Sequence, residues 1–187
     1  MNTDEFLTLR GELRIIQIPG DLLRGDKPLS PELVDALVAD GRATERRYSN
    51  LIVDNGLSAV SRMLGHGLNF PDVGGQAVSN VSDLRVATMR LGTTLNPTAP
   101  VITDTDISEV PPSYIVSFVA VYYPTATKVT FAGVVPQAVT ALNGQALTEE
   151  GLFLANGAMI AHVTFPPEVK LPTHAIQLEH SWTITRA

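Results

Sequence analysis

Few residues in this chain have types and spacings that could do chemistry. Three histidines, His162, His174 and His180, fall near the carboxyl end, and two or three imidazoles can ligate zinc. On an extended chain His174 and His180 share a face but lie about 20 Å apart by strand rise, too far for one ion. His162 faces away from Val163 and Phe165. All three read as histidines hydrogen-bonded in or beside a sheet. Asp104, Asp106, Ser108 and Glu109 resemble the opening of a calcium loop. The sixth position, which needs glycine, holds Glu109, and the twelfth, which needs glutamate, holds Ile115. The expectation is a solvated acidic loop. Glu149 and Glu150 are adjacent carboxylates, and neighbours on a strand point opposite ways, which spoils a shared acid–base site.

The usual catalytic and nucleotide-binding motifs are absent: no G-x-S-x-G elbow, H-E-x-x-H pair, Walker glycine loop or G-x-G-x-x-G. Arg24-Gly25-Asp26 reads as a tight turn feeding a helix. Asn80-Val81-Ser82 is a glycosylation sequon that matters only after export. The basic cluster Arg42, Arg46 and Arg47 is diluted by Asp40 and Glu45, so it reads as a solvated face or a salt-bridged subunit contact. With Tyr48, and with Leu68 and Phe70 in a glycine-rich stretch, these arginines are the candidate interface residues. No catalytic residue, cofactor site or metal site is predicted.

Composition narrows the class. Hydrophobic residues make up 44% and charged residues 17% of 187, which describes a globular protein rather than a disordered one. The absence of cysteine rules out disulfides and cysteine-ligated metals. A net charge of -6 argues against nucleic acid as a partner, because phosphate binding needs a basic surface. The amino end lacks the pattern of a secretory signal. No apolar run approaches the roughly 20 residues of a membrane helix.

The elements that must position these residues follow from periodicity. Ile176, Leu178, His180, Trp182 and Ile184 alternate with Gln177, Glu179, Ser181, Thr183 and Thr185. That pattern predicts a strand with one face in a core and one in water, and Trp182 as its anchor. Met159, Ala161, Val163 and Phe165 repeat it, with Pro166-Pro167 as the stop. Gly11–Ile18, Leu84–Leu91, Lys128–Val135 and Val139–Leu142 also read as strands, the last followed by an Asn143-Gly144 turn. Tyr114–Tyr122 is apolar on both faces, as a central strand would be. Ser30 is a helix cap with Pro31 behind it and Gly41 as the stop, and Leu33, Leu37, Val34 and Val38 supply the stripe. A charged connector from Arg42 to Tyr48 follows. A second helix is expected near Leu57–Leu64, with Leu57, Val60 and Leu64 on one side. Residues 66–82 read as a loop, longer than compact domains usually carry.

The fold expected is therefore mainly β: an antiparallel sandwich, jelly-roll or immunoglobulin-like, with two short helices in the N-terminal third. Residues 1–47 are expected to form a partner-contacting arm and residues 48–187 the β-domain.

Four stretches, in order, resemble a family of small bacteriophage virion structural proteins. Asn50-Leu51-Ile52-Val53 with Asn55-Gly56-Leu57 is similar to their N-L-[IV]-V-x-x-G-L lead-in to a helix. Arg85–Thr94 followed by Asn96-Pro97-Thr98 resembles their strand ending in G-T-x-x-x-P-T. Glu149–Phe153 with Asn156-Gly157 and Ile160–Pro166 resembles E-x-G-L-F followed by N-G and F-P. Leu178–Ile184 is similar to their terminal L-x-x-x-W-x-I. The chain departs from the pattern at Arg90-Leu91 and at Glu149-Glu150. The resemblance implies a non-enzymatic virion component, assembled in the host bacterial cytoplasm, whose partners are its own copies and other virion proteins. A tail-side role in a baseplate, collar or fibre attachment leads, and capsid decoration is the runner-up. Its contacts are expected from residues 66–82, 95–112 and the amino-terminal arm. A carbohydrate-binding module is the rival from another class; it would need exposed aromatic platforms, and aromatics are only 6%.

Overall fold

The structure is a computed structural model and describes residues 7–23, 25–65, 76, 78–117 and 119–186. Arg24, Leu68, Phe70 and most of the glycine-rich stretch lie outside them. Among the described residues nine antiparallel strands form one nearly closed, barrel-like sheet. They are β1 (Leu7–Pro19), β2 (Thr44–Ile52), β3 (Val86–Gly92), β4 (Tyr114–Val116), β5 (Val119–Thr125), β6 (Lys128–Val135), β7 (Ala146–Leu154), β8 (Met159–Val169) and β9 (His174–Arg186). Their spatial order is β4-β3-β7-β8-β2-β1-β9-β6-β5. The mainly β, antiparallel expectation holds. No break in hydrogen bonding divides the strands into the two separate layers of a jelly-roll or immunoglobulin-like sandwich. Instead β2 turns the corner, pairing with β1 through Thr44–Asn50 and with β8 through Leu51 and Ile52.

β9 is central and buried on both faces. Leu178 and Trp182 point into the barrel with Leu13, Ile15, Leu91, Leu152 and Val163. The other face was expected in water, but Gln177, Glu179 and Ser181 are buried too. Helix α1 (Pro31–Ala39) and the segment before it cover that side, where Ile16, Ile18, Leu23, Val34, Leu37, Val134 and Ala175 make a second core. Ser30 caps α1 by accepting the Leu33 amide, and Gly41 takes the left-handed conformation (φ 69°) just past its end. Val34 and Leu37 are buried as the stripe requires, while Leu33 faces solvent. Helix α2 (Asp54–Gly65) begins earlier than its apolar stripe suggested and docks Ala59 and Val60 on the barrel core.

Three other expectations change. The charged stretch after Gly41 is strand β2, not a connector. Tyr114–Tyr122 is not a central strand: it splits into β4 and β5, the two edges of the sheet. Among the described residues of this stretch and its end, Tyr114, Val116 and Val119 pack on the core, while Ile115, Val121 and Tyr123 are exposed. Val139–Leu142 holds a short 3-10 turn, Thr140–Leu142, instead of a strand. β8 also runs through Pro166 and Pro167. Its ladder to β7 jumps from Leu147↔Glu168 to Glu149↔Thr164, and the prolines occupy that irregularity, where no ladder amide is needed. β1 lies between β2 and β9 and pairs with β9 from Leu7 to Pro19, so this part of the amino-terminal segment is integral to the barrel.

Candidate functional site

Residues 93–113 cross from β3 to β4 over the outer face of β7 and β8. Their backbone is held by buried polar groups that those strands present. Glu149 leaves β7 on the outer face, fully buried, and accepts the amides of Ser108 and Glu109, each at 2.8 Å. His162 of β8 stands between two carboxylates, with Nδ1 2.8 Å from Asp104 and Nε2 3.4 Å from Glu149. Asp106 takes two bonds from Arg90, whose guanidinium lies 3.8 Å over the ring of Phe153. Glu109 turns back to accept from the Thr93 amide and from the hydroxyls of Thr94 and Ser113. The four acidic or hydroxyl residues expected as a solvated loop are thus ties that fasten the segment. Thr98 completes the set by donating its amide to Ser108.

Burial and charge fix the protonation of these ties. Burial alone would lower the His162 pKa, but Glu149 and Asp104 outweigh it and raise the imidazole above its ordinary value. Burial alone would raise Glu149 as well, yet His162 and the Ser108 and Glu109 amides hold it below the usual carboxylate range. Glu109 is lowered in the same way by Ser113, Thr93 and Thr94. One apolar peg completes the strap: Ile107 is buried against Phe153 and Met159. Gly151 makes room for it, since a β-carbon there would stand 2.7 Å from the Ile107 side chain.

Held this way, the segment shows aliphatic side chains to the outside. Leu95 is 80%, Val101 51%, Ile102 54% and Val110 67% exposed, and Ile115 on the adjoining edge strand is 45% exposed. None of the described residues covers these groups. The cluster fastens the segment that carries these side chains and is not an open acid–base site, because its imidazole and carboxylates are engaged with one another and with backbone amides. Among the described residues no group of three or more histidines, aspartates or glutamates is arranged to hold a metal ion.

The other expected site residues lie elsewhere. Arg46, Arg47 and Tyr48 sit on β2, and Arg42 lies just before it. Arg47 pairs with Glu12 and Glu45, and Arg46 reaches Glu168. The Tyr48 phenol donates to Glu168 and its ring stacks on Phe165. Burial and that carboxylate hold the phenol far above its ordinary pKa. These ion pairs close within the chain and leave Arg46 and Arg47 largely exposed. Arg42 is exposed and lies across a shallow surface hollow from His174. The structure does not bring the arginines together with the 95–113 segment.

Two buried polar groupings escape the sequence reading. Arg14 reaches Glu179 (2.8 Å), Asp35 (2.7 Å) and Glu45 (2.6 Å), bolting α1 to the sheet. Burial opposes the Arg14 charge, but these three carboxylates outweigh it and raise its pKa. Inside the barrel, Glu150 stands 3.0 Å from His180. The distance is that of an ion pair, but the alignment is not that of a hydrogen bond, and Glu150 Oε1 and His180 Nε2 have no partner. Only the alternation of Glu149 and Glu150 could have signalled that one of them faces inward.

No family model matches this chain, and neither a curated protein nor a solved structure is significantly similar to it.

Proposed function

We propose that this protein is a non-enzymatic structural subunit of a bacteriophage virion. It assembles through symmetric contacts between copies, on the tail side, as a baseplate, collar or fibre-attachment component. The observation that carries the assembly is the set of five exposed aliphatic side chains on residues 95–115, a segment held by buried ties. Such a surface on a soluble protein marks an interaction site, and repeated copies of one patch close into rings or dimers. The four ordered sequence motifs support the virion assignment. Burial of Trp182, at 5% exposure, removes the one tryptophan that a sugar platform could use.

Locating the chain within an intact particle by cryo-electron microscopy tests this reading. Density at a tail-side ring with residues 95–115 at a subunit contact supports it. Density bridging capsid subunits supports decoration instead, and absence from the particle overturns both. Deleting the residues before Gly41 would not separate the two roles, because it removes β1 from the middle of the sheet. The finer architectural reading, a two-layer sandwich sharing β2, fits the same role by giving one rigid body with two exposed edges.

A further inference from the structure

The sheet stops short of closure between β5 and the first residues of β3, which pair with β7 on one side and have no β4 partner on the other. Inward from that gap lies a cavity of about 570 Å3, reaching to helix α2. Its floor is Leu84, Leu154, Ile160 and Trp182, none more than 5% exposed. Its mouth carries the exposed Arg85, which has no ion pair among the described residues, whereas Lys128 alternates with the inward Val129 and so points to the opposite face of β6. We infer that this cavity binds a single-chain amphipathic carboxylate, with its acyl tail on the floor and its head group at Arg85.

Three observations select that chemistry. The volume falls in the range of small-molecule sites, about 300–1,000 Å3. The strands behind the floor, β6, β7, β8 and β9, each have neighbours on both sides, so their backbone groups are already paired. Apart from the Trp182 indole N–H, which has no partner of its own, a polar occupant would be buried there without partners, at a cost of roughly 1–3 kcal/mol for each group. An acyl chain brings no such groups, whereas a peptide strand brings an amide at every residue. The third observation is charge. The protein carries a net charge of -6 and repels anions in general, so an unpaired cation at this apolar opening favours an anionic head there.

The test uses the full-length protein and three probes with the same tail: dodecanoate, dodecanol and dodecyltrimethylammonium. Trp182 is the sole tryptophan and lines the cavity, so its fluorescence reports occupancy, with calorimetry as the second readout. Saturable binding of one dodecanoate per chain is expected, with dodecanol weaker by about tenfold and the cationic amphiphile weaker still. Arg85→Glu should reduce dodecanoate affinity by about tenfold or more while leaving dodecanol affinity and the urea midpoint unchanged. No saturable binding, or equal binding of all three head groups, would overturn the inference. So would finding the cavity filled by a strand of a neighbouring protein in the assembled particle.

Discussion

Glu150 and His180 face each other across the barrel interior at 3.0 Å, both fully buried among aliphatic side chains. A pair in such surroundings contributes little net stability, because desolvation offsets its attraction. Removing one partner strands the other. Glu150→Leu or His180→Leu alone should therefore cost about 3–5 kcal/mol, whereas the double substitution should return to within about 1–2 kcal/mol of the parent. Urea denaturation of the four proteins decides this, and a double variant as unstable as the sum of the singles contradicts it.

Arg14 does the corresponding work outside the barrel, between α1, β2 and β9. Arg14→Met leaves Glu179 buried without its partner, and a loss of about 3–5 kcal/mol is expected. Burial already pushes the Glu179 carboxyl above its ordinary value, so this variant should lose more stability above neutral pH than in mild acid. Hydrogen exchange should show α1 opening before the sheet, since Asp35 is its tie to Arg14.

The ties under residues 93–113 should hold only within a window of pH. His162 is raised above its ordinary value near 6.5, so its contribution is complete below that value and is lost as pH rises through the folded pKa. Glu149 and Glu109 are lowered from about 4.5, so theirs are complete above that value and are lost as pH falls through the folded pKa values. Protection of the Ser108 and Glu109 amides, taken as exchange relative to the intrinsic rate at each pH, should be greatest between the two limits and smaller on either side. His162→Gln should abolish the alkaline limb and leave the acid limb. A flat profile across that range would contradict the strap.

Gly151→Val attacks the same strap by shape alone. Its side chain would collide with Ile107 and Phe153, which stand 2.7 and 2.8 Å from an added β-carbon. The expected result is a lifted 101–109 segment, a stability loss of about 1–3 kcal/mol and weakened self-association. Unchanged exchange at Ser108 would show that Ile107 is not the peg.

What could be read in the sequence was whatever depends on near neighbours. Ser30, Pro31 and Gly41 bracket α1, Lys128–Val135 is a strand to the residue, and the period-two alternation correctly buries Trp182. What could not be read depends on residues far along the chain. Gln177 looks solvent-facing in the pattern, yet it exchanges hydrogen bonds with the Leu29 backbone beneath α1. Glu179 likewise owes its burial to Arg14. The acidic run from Asp104 looks solvated because its partners, His162 and Arg90, come from other strands. Tyr114–Tyr122 is apolar on both faces for opposite reasons: one part packs on the core, and the other lies bare at an edge. Composition does not distinguish a covered strand from an uncovered one.

The most direct test of the central claim is sedimentation of the purified full-length protein beside its Ile102→Asp, Val110→Asp variant. Both positions are more than half exposed, so the substitutions should leave the fold intact. The parent should sediment as a discrete oligomer and the variant as a folded monomer. A parent that stays monomeric at every concentration, or a variant that assembles as the parent does, would contradict assembly through residues 95–115.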